Sequence, residues 1–163
     1  MALPKYQTEL LKLSEYEEYL KFLDVAYACK FQSSGKSGNF QLRIFITRPK
    51  YYTEHYYNLG FGAWDPGSST VDDIIELRNG DSEQILATIV DTALDFLESN
   101  PFASLYAEGS TRARTRLYQR EIAKHLHFIP GNIRIYGLVK ENDVGFIEFR
   151  TGVNFDAFLL SVK

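Results

Sequence analysis

Cysteine is almost missing from this chain of 163 residues: Cys29 stands alone, so no intrachain disulfide can form. A lone cysteine fits a reducing compartment, and a cytoplasmic location is expected. No stretch approaches the ~20 apolar residues of a membrane span. The opening residues, Met1-Ala2-Leu3-Pro4-Lys5, lack the apolar run of a secretion signal. No membrane partner is therefore expected. Neither charge sign dominates: 18 Lys and Arg stand against 21 Asp and Glu, for a net charge of -3. That balance excludes a general polyanion-binding coat. The recognisable catalytic spacings are missing as well. There is no Gly-x-x-x-x-Gly-Lys-Ser/Thr, no His-Glu-x-x-His, no Cys-x-x-Cys and no Gly-x-Ser-x-Gly. Neither a cofactor nor a metal site is expected.

Aromatic residues are plentiful, with eleven Tyr and twelve Phe. Large rings favour strands and bury much area, which predicts a sheet-rich core. The length suits one compact domain spanning residues 1–163. A domain of this size buries roughly 70% of its unfolded surface, so it needs no staple to fold.

Strands are predicted at residues 25–31, 40–47, 56–64 and 73–77. Residues 15–23 are ambiguous between helix and strand. Ser33, Ser34, Gly35, Lys36, Ser37 and Gly38 read as a turn or mobile loop. A first helix follows, capped by Asp81 or Ser82, with Gln84 at the capping-box position if Asp81 is the cap. Its apolar face comprises Ile85, Leu86, Ile89, Val90, Ala93, Leu94 and Leu97, and its polar stripe Gln84, Thr88, Asp91, Asp95 and Glu98. A strand at 103–107 leads into a second helix that starts at Ser110 or Thr111 and runs to about His125. Strands at 133–139 and 145–150, and a last strand or docked tail at 155–162, complete the chain. The order β-β-β-β-α-β-α-β-β with short turns predicts an α+β fold, a mostly antiparallel sheet with two main helices on one face.

The most distinctive run is Gly109-Ser110-Thr111-Arg112-Ala113-Arg114-Thr115-Arg116-Leu117-Tyr118. Small residues at a strand-to-helix turn, followed at once by arginines, form a candidate anion site. Backbone N–H groups from Gly109 to Arg112 and the helix dipole would grip a phosphate or carboxylate. Arg112, Arg116, Arg120 and Lys124 recur every four residues as one basic stripe. Residues 112–124 hold five basic residues and one Glu, whereas the rest of the chain holds 13 basic and 20 acidic residues. Arg114 falls nearer the apolar side, beside Tyr118. Tyr118, Ile122 and Leu126 should face the core. Read structurally, the same run is a capped helix with a solvated face and Arg114 paired to a carboxylate such as Glu108.

Weaker signals surround it. Tyr51, Tyr52, His55, Tyr56 and Tyr57, near Arg48 and Lys50, could stack bases, or could form an aromatic strand edge that meets a protein. His55, His125 and His127 are too loosely spaced for a convincing metal site, and acidic Asp65, Asp72, Asp73 and Glu76 read as solvated turn residues. Cys29 lies in an apolar strand and reads as inert.

Three segments carry a family likeness: Asn58-Leu59-Gly60-Phe61-Gly62 with Trp64; Asn79-Gly80-Asp81 running into Ile85-Leu86-Ala87-Thr88; and the Gly109–Tyr118 run. A fourth, weaker one contains Gly152, Asn154, Phe155, Ala157, Phe158 and Leu159. On these the chain resembles a family of small bacterial proteins that carry a domain of unknown function. The resemblance implies a cytoplasmic, single-domain protein and brings no catalytic residue with it. Three functions stay open. The first is a binding module for a phosphate-bearing partner, nucleic acid foremost, at residues 109–124. The second is an enzyme acting on a nucleotide or phosphorylated metabolite. The third is a protein-interaction partner, as in a toxin–antitoxin or defence operon, that uses the aromatic edge at residues 51–57.

Overall fold

A computed structural model describes residues 4–72 and 80–163 of the protein. Its elements are β1 (Glu9–Leu10), β2 (Leu23–Gly35), β3 (Gly38–Pro49), β4 (Tyr56–Asp65), β5 (Thr70–Asp72), α1 (Ser82–Ser99), β6 (Ser104–Ala107), α2 (Arg112–Lys124), β7 (Ile133–Val139), β8 (Gly145–Glu148) and β9 (Ala157–Val162). The strands form one sheet in the order β1-β2-β3-β4-β6-β9-β7-β8, with β5 also on β4. The fold is α+β, with one mostly antiparallel sheet, as the sequence predicts. The strand expected at residues 73–77 lies outside the described residues, as do Asp73 and Glu76.

The β2–β3 hairpin runs further than the serine-rich sequence implies. Its pairing continues to Gly35↔Gly38, which leaves Lys36 and Ser37 as a two-residue turn. Gly38 adopts a φ of 113°, a region open to glycine. Along β3 the side chains alternate between two cores. Leu42, Ile44 and Ile46 join the main core beneath the helices. Phe45 points the other way and packs with Leu11 and Ala28, covered by Tyr16 and Leu20. The ambiguous residues 15–23 are neither helix nor strand for most of their length: after a short 3-10 turn (Leu13–Glu15) they run as turns that cover this second face, until β2 begins at Leu23. Arg43 is buried on that side, with its guanidinium 3.6 Å above the Trp64 ring and one N–H on the Glu15 carbonyl.

β4 and β6 are parallel, the one such pair in the sheet among the described residues. Parallel neighbours need a long crossover, and α1 lies within it. The buried face of α1 is Ile85, Thr88, Ile89, Thr92, Ala93, Phe96 and Leu97. This arc is rotated from the predicted one. Thr88 and Thr92 go inside because their hydroxyls donate to carbonyls one turn earlier, Gln84 and Thr88, so no buried donor is left unpaired. The Thr88 hydroxyl also accepts the N–H of Tyr6, which seats the N-terminal segment along the helix. Leu86, Val90 and Leu94 are left only half buried. Asp81 does occupy the N-cap position, but its side chain makes no capping bond. Its carboxylate instead accepts from the Tyr6 and Ser33 hydroxyls.

The last strand, β9, is not a docked tail but an interior strand between β6 and β7. Just before it, Phe155 is fully buried among Phe149 and Phe158. Gly137 of β7 makes room for it: a Cβ there would lie 2.1 Å from the Phe155 ring.

Gly137→Ala should therefore overpack the core and cost about 2–3 kcal/mol. Gly131→Ala, which meets nothing within 4 Å, should stay within about 0.5 kcal/mol of wild type. Urea unfolding of both variants measures the difference. Cys29 has no exposed surface, and burial pushes its thiol from 9.0 up to about 11. The unfolded thiol ionises first, so stability from this group is complete below pH 9 and falls as pH rises from 9 to 11. A thiol reagent at pH 8 should leave the folded protein unlabelled and label it fully in denaturant.

Candidate functional site

The turn from β6 into α2 is built by short polar side chains. Thr111 is the N-cap, and its hydroxyl accepts the Arg114 N–H. Thr115, one turn on, is buried; its hydroxyl accepts the Gly109 N–H at 3.1 Å and donates to the Thr111 carbonyl. Gly109 is pressed against this first turn. A Cβ there would lie 2.6 Å from the Thr115 nitrogen, so only glycine fits without displacing backbone. Glycine, the N-cap threonine and the buried threonine thus form one connector that aims α2 across the sheet. The N–H groups of Gly109 and Arg114 are spent inside this connector.

The arginines divide into two kinds. Arg116 is half buried and donates to the Phe155 carbonyl at 3.0 Å. Beside it Gln119 grips the same segment: its amide donates to the Val153 carbonyl and its oxygen accepts the Phe155 N–H. Arg116 and Gln119 together tie α2 to the chain entering β9. Arg114 donates to the Ser110 hydroxyl at 2.7 Å. It is not paired with Glu108, whose carboxylate takes the Tyr106 hydroxyl and Lys140 instead. That arrangement, after burial itself, pushes the Tyr106 hydroxyl up to about 12. Arg112 and Arg120 are exposed. Lys124 is also exposed, 3.8 Å from Glu83. None of the four arginines is ion-paired among the described residues. The structure thus keeps Arg112, Arg114 and Arg120 outward on α2 and diverts Arg116 into a tertiary bond. Leu126, expected in the core, is instead 38% exposed in the turn after the helix.

The aromatic block lies elsewhere. Tyr56 pairs with Ser104 at the start of β6, whereas α2 begins beyond the far end of that strand. Tyr51, Tyr52, Tyr56 and Phe102 are exposed at this opposite end. The basic helix face and the aromatic end are therefore separate surfaces. Among the described residues, no cluster of three or more His, Cys, Asp or Glu is placed to hold a metal ion, and no helix is long and apolar enough to cross a membrane.

A polar pair at the other end of α2 escaped the sequence reading. His125 closes the helix with its ring 3.1 Å from a Glu83 oxygen and 3.5 Å from a Glu121 oxygen. Glu121 and His125 share one face of α2 with Ile122, and the i, i+4 spacing was the available signal.

Thr115→Val should strand the Gly109 N–H and cost about 1–3 kcal/mol. Arg112→Ala should leave stability within about 0.5 kcal/mol of wild type. Thermal and urea unfolding compare them.

No curated protein and no solved structure is similar enough to match this chain. A family model does match, over residues 12–163, from the turns ahead of β2 to the end of β9. The protein belongs to that family, described as a family of unknown function, DUF6934.

Proposed function

We propose that the protein is a non-enzymatic binding module that holds a phosphate-bearing partner, nucleic acid foremost, on the outward face of α2. The observation that carries this is that Arg112, Arg114 and Arg120 make no ion pair among the described residues, on a protein whose net charge is -3. Unpaired arginines on an acidic body make a local positive field and offer bidentate donors to phosphate oxygens. Their spacing favours a repeating anion over a single one. Arg112 and Arg120 are separated by about 12 Å along the helix axis, with Lys124 a turn beyond. The contact rests on side chains, with the Gly109 and Arg114 amides already engaged within the connector.

A second reading is favoured by one observation at the opposite end. Tyr51 is 95% exposed and Phe102 85% exposed. Tyr51 is also held at a φ of 66°, a conformation costly for a bulky residue. Such rings suit a protein partner. Co-expression with the product of a neighbouring gene, followed by size-exclusion chromatography, tests it: co-elution should be lost in Tyr51→Ser/Phe102→Ser. A monomer alone under every such pairing counts against it.

For the phosphate reading, fluorescence anisotropy with labelled single-stranded RNA and DNA is the direct measurement. Binding should weaken steeply with salt, with a log–log slope of about -2 to -3 for three or four contacts. Arg112→Ala/Arg120→Ala should lower affinity at every sequence and flatten the slope by roughly 1–2, while leaving the Arg116 bond to Phe155 intact. No binding at low salt, or unchanged binding by the variant, overturns the reading.

A further inference from the structure

Between α1, α2 and the sheet lies a cavity of about 250 Å³. It exists because α1 is rotated by its buried threonines, so that Leu86, Val90 and Leu94 face a gap instead of neighbours. The sheet closes it with Leu59 and Phe158, and α2 closes it with Ile122. The wall is almost wholly apolar apart from Tyr118, the pair described above, Glu121 and His125, and the Lys5–Asp91 ion pair. Lys5 and Asp91 satisfy each other at 2.8 Å. Glu121 and His125 do not: the Glu121 Oε2 and both His125 ring nitrogens are buried without a hydrogen-bond partner. His125 stands within ion-pair distance of Glu83 and Glu121, yet outside hydrogen-bond geometry with both. Buried polar atoms are rarely left so, and each one calls for a partner.

We propose that this cavity binds a small neutral molecule with an apolar body and one hydroxyl, the hydroxyl donating to Glu121 Oε2 and accepting from the His125 ring. The size follows from the volume. A dry cavity of about 150 Å³ takes a six-carbon ring, so this one takes roughly ten heavy atoms, a fused bicycle or its equivalent. The polar group follows from the wall. Glu121 needs a donor and the protonated nitrogen of His125 needs an acceptor; a hydroxyl is both, whereas a carboxylate would meet Glu121 as a like charge. Neutrality follows from the local pairing, because Asp91 on the wall is already answered by Lys5. The proposal stands on residues facing away from the basic face of α2 and does not rest on the phosphate reading.

The probes are 2-naphthol, naphthalene and 2-naphthoate, titrated calorimetrically into the full chain. The expected result is binding of 2-naphthol at least tenfold tighter than naphthalene, and no binding of 2-naphthoate. Glu121→Leu should erase the preference for 2-naphthol while naphthalene binding persists. Val90→Trp should fill the space and abolish both. Because either variant could misfold, a wild-type measurement decides independently. In methyl-resolved NMR, 2-naphthol should shift Leu86, Val90, Leu94 and Ile122 first. Failure of 2-naphthol to bind, equal affinity for naphthalene, or shifts concentrated elsewhere each overturns the proposal.

Discussion

Three residue pairs join the two halves of this sheet: Tyr56↔Ser104, Tyr57↔Leu105 and Asn58↔Tyr106, all between β4 and β6. On one side lie the antiparallel strands β1 to β5, on the other β6, β9, β7 and β8. The junction is parallel, so the chain must cross the sheet between β4 and β6, and α1 lies in that crossing. Tyr57 fixes the helix from below, its ring edge-on to Phe96 at 5.4 Å. Leu105, fully buried at the middle pair, belongs to the same core as Ile89 and Leu97. The position of both helices, and of everything between and upon them, depends on this short seam.

Polar residues decide how the helices sit on it. Thr88 and Thr92 turn inward because each bonds the carbonyl four residues before it, and the half-buried side of α1 is the consequence. On α2, Thr115 does the same toward Thr111 and also takes the Gly109 N–H. Arg116 and Gln119 then fasten the helix to residues 153–155, which carry Phe155 into its niche beside Gly137. Apolar area supplies most of the driving force, but these directed bonds select which faces meet.

The longer strands were legible because alternation is a local property, whereas the two- and three-residue strands β1 and β5 are too short to show it. Leu42, Ile44 and Ile46 against Arg43 announce β3, and only Phe45 breaks the pattern, because a second small core lies on the other face. What the chain hides is contact across long separations. Asp81 reads as a helix cap, yet Tyr6 and Ser33, 75 and 48 residues away, claim its carboxylate. Arg116 reads as one more solvated arginine of a stripe, yet a carbonyl 39 residues later holds it. The motif from Gly109 to Thr115 was visible as a unit; that Gly109 serves close packing follows only once the distance to Thr115 is known. The cavity was the least legible feature, since an apolar helix face looks alike whether it meets side chains or empty space.

The place of β9 sets an order of events. β6 and β7 are not neighbours; β9 fills the space between them with antiparallel bonds on both sides, Leu160 facing Leu105 on one strand and Ile135 on the other. During synthesis the hairpins of β2, β3 and β4 can close as soon as they leave the ribosome, since their partners are consecutive. β6 and β7 cannot. Each presents an open edge, and β6 waits some fifty residues, from 104–107 to 157–162, for the strand that covers it. Until residues 157–162 emerge, the nascent chain carries a half-built sheet with two bare edges facing one gap, the stage at which it is most exposed to pairing with the wrong chain.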